Sequence, residues 1–241
     1  MKISIVVPAF NEEKLLRATL SSIRAAAAAF TSRGWDVETI VCDNNSTDRT
    51  AEIAREEGAR VVFEPVNQIG RARNRGAAAA DGAWLVFVDA DSKPSLDLFN
   101  DVAGVIAAGR HIAGGVTMRM DAWFPAAWAA TGCWNIFSRL TRWLAGAFIF
   151  CEAESFRAVG GFSNAFYVSE EIDLSRRLKA LAKSKGRRLV VLHRHPMVTS
   201  ARKMRLYTYG EYFQFLFRLL WRRGRPLHER ENCPIWYDGR R

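Results

Sequence analysis

The chain has 241 residues, 49% hydrophobic and 25% charged, which allows one large domain with an appendage and excludes wholesale disorder. Its net charge of +10 is unevenly spread: residues 1–173 carry 17 basic and 21 acidic side chains, residues 174–241 carry 18 and 4. A basic final quarter behind a mildly acidic body points to an anionic surface or ligand met by the C-terminal part.

The first 120 residues alternate strand and helix signals. Ile3–Pro8 is β-branched and apolar, the pattern of a buried parallel strand. Asn11 is expected to cap the next helix, with Glu12 and Glu13 in its first turn and Leu16, Leu20 and Ile23 on its inner face. Val37–Cys42 predicts a second strand, closed by the polar run Asp43-Asn44-Asn45-Ser46-Thr47-Asp48. A helix to about Glu57, a strand at Arg60–Phe63, a helix at Ala72–Ala80 and a strongly apolar strand at Trp84–Val88 follow. Ser95–Ala107 predicts a helix and Ile112–Met118 a strand. Ala122–Phe150 is aromatic and Ala-rich and reads as helical core. Gly160-Gly161-Phe162 is a turn, Ser169–Leu181 a helix opening on acids, Arg188–His193 a strand, and Tyr207–Trp221 a last, aromatic helix. The fold class is α/β, a mostly parallel sheet with helices on both faces.

Cys42, Cys133, Cys151 and Cys233 are scattered, with no CxxC pair and no clustered histidine. That excludes a zinc ribbon and a disulfide scaffold and fits a reducing compartment. Ile3–Phe10 is too short for a signal-peptide core, and no 18-residue apolar run exists, so a cytoplasmic location is expected.

In such sheets, ligands sit at the carboxyl ends of strands. Three apolar strands here end in polar clusters: Pro8–Glu12, Asp43–Asp48 and Asp89-Ala90-Asp91. Two carboxylates in a D-x-D at a strand end suit a hard divalent cation that bridges a diphosphate. Further along come Arg71-Ala72-Arg73-Asn74-Arg75-Gly76, Gly160-Gly161-Phe162 and Glu170-Glu171-Ile172-Asp173-Leu174.

In this order and spacing, over about residues 1–180, the motifs resemble glycosyltransferase family 2, inverting nucleotide-sugar transferases with a GT-A fold. The resemblance implies a donor pocket of Pro8, Asn11, Glu12, Asp43, Arg71 and Asp89, with Asp43 accepting a hydrogen bond from the base, uridine by family bias. It implies Mn²⁺ or Mg²⁺ on Asp91 and Asp89, with His195, just after the last strand, as a further ligand. Where the family shows a second Asp after Asp43, this chain has Asn44. The base that takes the acceptor proton falls on Glu171, with Glu170 its neighbour and rival, where the family more often has Asp. The Ser200–Lys203 segment reads equally as a clamp for a donor diphosphate or an acceptor phosphate and as a solvated loop.

The expected partners are a nucleotide-sugar donor and a glycan, lipid-linked or small-molecule acceptor. The division implied is a transferase domain over 1–203, with a nucleotide half (1–118) and an acceptor half (119–203). A C-terminal helix and basic tail over 204–241 is suited to an anionic membrane surface. Two readings compete. A sugar nucleotidyltransferase wants a Gly-rich basic loop after the first strand, where this chain has Pro-Ala-Phe-Asn-Glu. A non-catalytic basic module for membrane or nucleic acid leaves the acidic clusters unexplained; nucleic acid is not expected.

Overall fold

The computed structural model describes residues 1–207, 210–211, 214 and 225–237. In chain order the elements are β1 (Lys2–Ala9), α1 (Leu16–Ala26), α2 (Ala28–Thr31), β2 (Asp36–Asp43), α3 (Thr50–Glu56), β3 (Arg60–Phe63), α4 (Ile69–Ala78), β4 (Trp84–Val88) and β5 (Ser92–Lys93). Then follow α5 (Leu96–Ala107), β6 (His111–Met120), α6 (Pro125–Thr141), β7 (Phe148–Glu152), α7 (Ala153–Ala158), α8 (Glu170–Ser184), β8 (Arg188–Thr199), α9 (Arg202–Leu206) and, after two short 3₁₀ turns, α10 (Pro234–Tyr237).

The strands form one eight-stranded sheet in the order β3-β2-β1-β4-β7-β6-β8-β5. Pairs β1–β2, β1–β4, β2–β3 and β6–β8 are parallel, whereas β7 runs antiparallel to both β4 and β6. Side-chain alternation feeds a core on each face. Ile3, Ile5 and Val7 of β1, with Trp84, Val86 and Val88 of β4, pack on Leu16, Leu20, Phe30 and Phe99. Val6, Leu85 and Phe87 point the other way, onto Phe156, Phe162, Leu174 and Leu178. This sheet buried on both faces is the predicted α/β architecture.

Three local expectations are corrected. Asn11 does not cap α1: its φ is 52°, and the helix starts five residues on, at Leu16. The carbonyl of Glu12 accepts from the Leu15 and Leu16 amides, and the Asn11 side chain turns to the neighbouring loop. Within Ala122–Phe150, α6 forms, but its apolar outer side faces solvent instead of filling the core, and Phe148–Phe150 belongs to a strand, β7. The predicted helix over 207–221 lies largely outside the described residues.

The C-terminal segment 225–237 returns to the main body. The Tyr167 amide donates to the Leu227 carbonyl (2.7 Å), and the Tyr237 hydroxyl donates to the Tyr167 carbonyl (2.8 Å) and accepts from the Ile69 amide (3.2 Å). Cys233, Ile235 and Tyr237 are buried there.

Candidate active site

At the carboxyl ends of β1 and β4 lies a cleft of about 80 Å³, walled by Pro8, Phe10, Glu12, Asn44, Asn67, Ile69, Asp89, Asp91 and Tyr237. Two polar loops build one rim by bonding to each other. The Asn11 amide donates to Ser46 Oγ (3.0 Å), the Thr47 amide to Asn11 Oδ1 (2.8 Å), and the Glu12 amide to Thr50 Oγ1 (2.8 Å). Asp43 Oδ1 accepts from the Ser46 amide at 3.0 Å, which shapes the turn after β2. Asn44 explains its own departure from the family pattern. Its amide nitrogen donates to the carbonyls of Glu64 (3.2 Å) and Val66 (2.6 Å), two bonds that a carboxylate cannot make.

The chain after β8 braces one of the lining residues, Glu12. Arg202 forks onto Glu12, Nη1 to Oε2 at 2.9 Å and Nη2 to Oε1 at 2.7 Å. Both side chains are largely buried, 15% and 9% exposed. This bidentate geometry fixes the Ser200–Lys203 segment against the cleft, and the charge of Asp91 adds to the field that holds Arg202 protonated.

Behind the cleft sits a buried charge cluster centred on Arg73. Nη1 donates to Glu170 Oε1 (2.6 Å), and Nη2 donates to Asp89 Oδ1 (2.8 Å) and to the Gly146 carbonyl (2.8 Å). The guanidinium also lies 5.2 Å from the Phe162 ring centroid. Glycine at 146 eases this close approach, since a Cβ there would stand a tight 3.2 Å from Nη2. Gly161, at φ 68°, turns the chain so that Asn74 holds both the amide and the carbonyl of Phe162.

Glu170 and Glu171 open α8, and both reach this cluster. Burial raises the proton affinity of each. For Glu170, the charge of Glu171 adds to the rise and Arg73 opposes it, leaving it pushed up to about 8. Arg73 and a hydrogen bond from Glu170 act in the other direction on Glu171. Burial is the leading cause for both, Asp89 adds to it and Arg73 opposes it, so the two neighbouring carboxyls titrate as a pair. The third acid of the run, Asp173, turns instead to Arg177 (2.6 Å).

The structure thus brings Pro8, Glu12, Asp89 and Asp91 to the cleft, with Asn11 and Asp43 in the loops that shape it. Arg71 is not among the lining residues; its Nε donates to Gln68 Oε1 at 3.1 Å. His195 does not join the aspartates. It lies four residues before the end of β8, and its Nδ1 sits 2.9 Å from Asp101 Oδ2 on α5. No group of three or more metal-binding side chains occurs among the described residues. Arg73 and Tyr237 were missed. Arg73 had a readable signal: it shares the buried face of α4 with Gly70, Gly76 and Ala77 at helical spacing, where an arginine must find carboxylates. Tyr237 had none.

A sheet with helices on both faces and carboxylates gathered at its strand ends is the frame of the GT-A glycosyltransferases. Residues 4–158 match the family model described as Glycosyl transferase family 2, and the chain belongs to that family. An uncharacterized glycosyltransferase of Mycobacterium tuberculosis is 39% identical over 89 residues, 37% of this chain and 36% of the relative. TarS of Staphylococcus aureus in complex with UDP-GlcNAc superposes with a TM-score of 0.66 at 22% identity, over 91% of this chain and 65% of that one. The mannosyltransferase PcManGT of Pyrobaculum calidifontis, in complex with GDP-Man and Mn²⁺, gives 0.65 at 19% identity, over 94% and 62%.

Proposed function

We propose that the protein is an inverting glycosyltransferase that moves a sugar from a nucleoside diphosphate donor, a UDP-sugar, to an acceptor hydroxyl or lipid phosphate. The observation that carries this reading is the convergence of Asp89 from the end of β4 and Glu170 from the start of α8 on one buried guanidinium, with Glu171 beside them behind an open cleft. Inverting transfer needs a carboxylate near the acceptor oxygen to take its proton as that oxygen attacks the anomeric carbon and the nucleoside diphosphate leaves. Glu171 suits this role because burial raises its proton affinity, which makes its carboxylate a stronger base than an exposed one. Arg73 holds both acids in place, and Arg202 is forked on Glu12, a residue of the cleft wall.

The cleft also fits a divalent cation. Asp89 and Asp91 offer hard oxygens, and Mg²⁺-type ions are commonly held by one or two carboxylates plus substrate phosphates. Asp89 and Asp91 would hold Mn²⁺ or Mg²⁺, which when bound neutralises charge on the leaving diphosphate. UDP binding followed calorimetrically should therefore need Mn²⁺ in the wild type and be lost in Asp91→Ala, with the thermal transition unchanged because Asp91 sits in a loop outside both cores. Equal affinity with and without metal would overturn the cation's role. Failure to bind UDP in any condition would overturn the donor.

The glutamate pair also predicts a pH dependence of stability. Glu170 has an ordinary value of 4.5 and stands near 8 when folded, so between those limits the native state holds a proton that the unfolded chain has released. Stability contributed by the pair is then full at low pH and falls as pH rises through that window. Glu170→Gln keeps a donor to Glu171 and an acceptor for Arg73 while removing the titration. Urea unfolding across this range should show a flatter profile for the variant; an identical slope would refute the raised proton affinity.

A further inference from the structure

α6 turns its polar side inward. Asn135 holds the amide and the carbonyl of Met118 (2.9 Å each), and Ser138 Oγ donates to the Trp143 carbonyl at 2.5 Å. Outward it presents Trp128, Ile136 and Leu140, 65%, 62% and 80% exposed, with Phe137 and Cys133 between them and Trp123, 74% exposed, just before the helix. Seventeen residues make this strip about 25 Å long. Scattered exposed apolar side chains are ordinary; a continuous strip is not. Between Asp121 and Glu152 the sequence holds no acidic residue, and its only charges are Arg139 and Arg142.

At the C-terminal end the strip runs into a groove lined by Leu140, Arg142, Lys179, Lys183, Arg187 and Arg188. Arg187 is neutralised by Glu152 at 2.6 Å, whereas Arg142, Lys183 and Arg188 have no acidic partner among the described residues. The positive field there is strong enough that Arg110, Arg142, Arg187 and Arg188 add to burial in holding the nearby His111 below its ordinary value.

We propose that the outer face of α6 and the basic groove at its end form one docking surface for an anionic phospholipid bilayer, with the helix lying in the plane of the interface. Tryptophans and aliphatics on one side, arginine and lysine at the end and no carboxylate between them complement the boundary of acyl chains and anionic headgroups. A second copy of the chain fits less well. A two-fold contact would set this patch against itself, and the patch carries no acid to meet its own arginines. No helix among the described residues is long and apolar enough to cross a membrane, so attachment is peripheral. The segment after α6 leads to Gly146, whose carbonyl accepts from Arg73, so docking would bring the carboxylate cluster close to the headgroups. The inference rests on the surface alone, not on the reaction proposed above.

Cys133 reports on this face directly, because it is exposed while Cys42, Cys151 and Cys233 are buried. With an environment-sensitive fluorophore on Cys133, the full chain is mixed with equimolar phosphatidylcholine–phosphatidylglycerol vesicles or with phosphatidylcholine alone. The emission should shift to the blue and be shielded from iodide on the anionic vesicles only, and added salt should release the protein. Ile136→Gln with Leu140→Gln, and separately Arg142→Glu with Arg188→Glu, should each lower vesicle partition by about tenfold or more. All four positions lie at the surface, and an unchanged melting transition checks the fold. The proposal is overturned if the wild type stays in the supernatant at low salt. It is equally overturned if the protein binds while the Cys133 label stays exposed and both double variants bind normally, which would place the attachment elsewhere, such as the basic tail. A label shielded without vesicles in a dimer that Ile136→Gln with Leu140→Gln converts to monomer would make the face a self-contact.

Discussion

Replacing Glu171 with Gln is expected to lower turnover by about 10²–10⁴-fold while UDP affinity and the melting transition stay near wild type. The side chain keeps its shape and can still accept from Glu170, so the cluster around Arg73 stays assembled. What disappears is the basic oxygen that takes the acceptor proton. Because burial raises the affinity of both glutamates for protons, the wild-type rate should also climb with pH at values above the ordinary carboxylate range. That climb should vanish from the residual activity of Glu171→Gln. Normal turnover in Glu171→Gln together with a large loss in Glu170→Gln would move the base by one residue. Normal turnover in both would remove the glutamates from the chemistry.

Legibility in the sequence followed how local each determinant was. β1 and β4 were readable because a strand buried on both faces needs no polar alternation: Trp84–Val88 shows none, and Ile3–Pro8 has Ser4 as its one polar residue. Asn11 was misread as a cap because its residue type satisfies both a helix start and a left-handed turn. Its choice depends on Ser46 and Thr47, more than thirty positions away. β7 was hidden inside an apolar run, where period alone does not separate helix from strand. α6 was read correctly as a helix and wrongly as core, since apolar composition says nothing about whether another element exists to cover it. At the site, Asp89, Asp91 and the two glutamates announced themselves as carboxylates at element ends. Arg73 was less conspicuous, because three arginines crowd Arg71–Arg75 and only the helical spacing that sets the middle one beside Gly70, Gly76 and Ala77 distinguishes it. Arg71 was chosen from the same triplet and instead lies on Gln68.

Arg73→Met should destabilise the fold by about 3–5 kcal/mol at neutral pH, the range for removing one partner of a buried ion pair. Arg73 is among the largest fully buried side chains, 2% exposed, and Glu170 beside it is 3% exposed. Methionine fills comparable space, so the loss is electrostatic more than packing: Asp89, Glu170 and Glu171 keep their positions and lose the cation that Asp89 and Glu170 bond to. The chain can answer by protonating the acids, which fixes the sign of the pH effect. With Arg73 gone, the opposing influence on Glu170 and Glu171 is gone too, so their proton affinities rise further above the unfolded values. Native protons are then lost more expensively as pH rises, and the deficit relative to wild type should be widest at neutral pH and narrow toward pH 5. Urea unfolding of wild type, Arg73→Met and the double variant Arg73→Met, Glu170→Gln would measure this, the second change recovering part of the loss because it removes the acid that Nη1 holds. A deficit below about 1 kcal/mol, a typical neutral hydrogen bond, or one that does not change with pH, would show that Arg73 is not what holds the three carboxylates together.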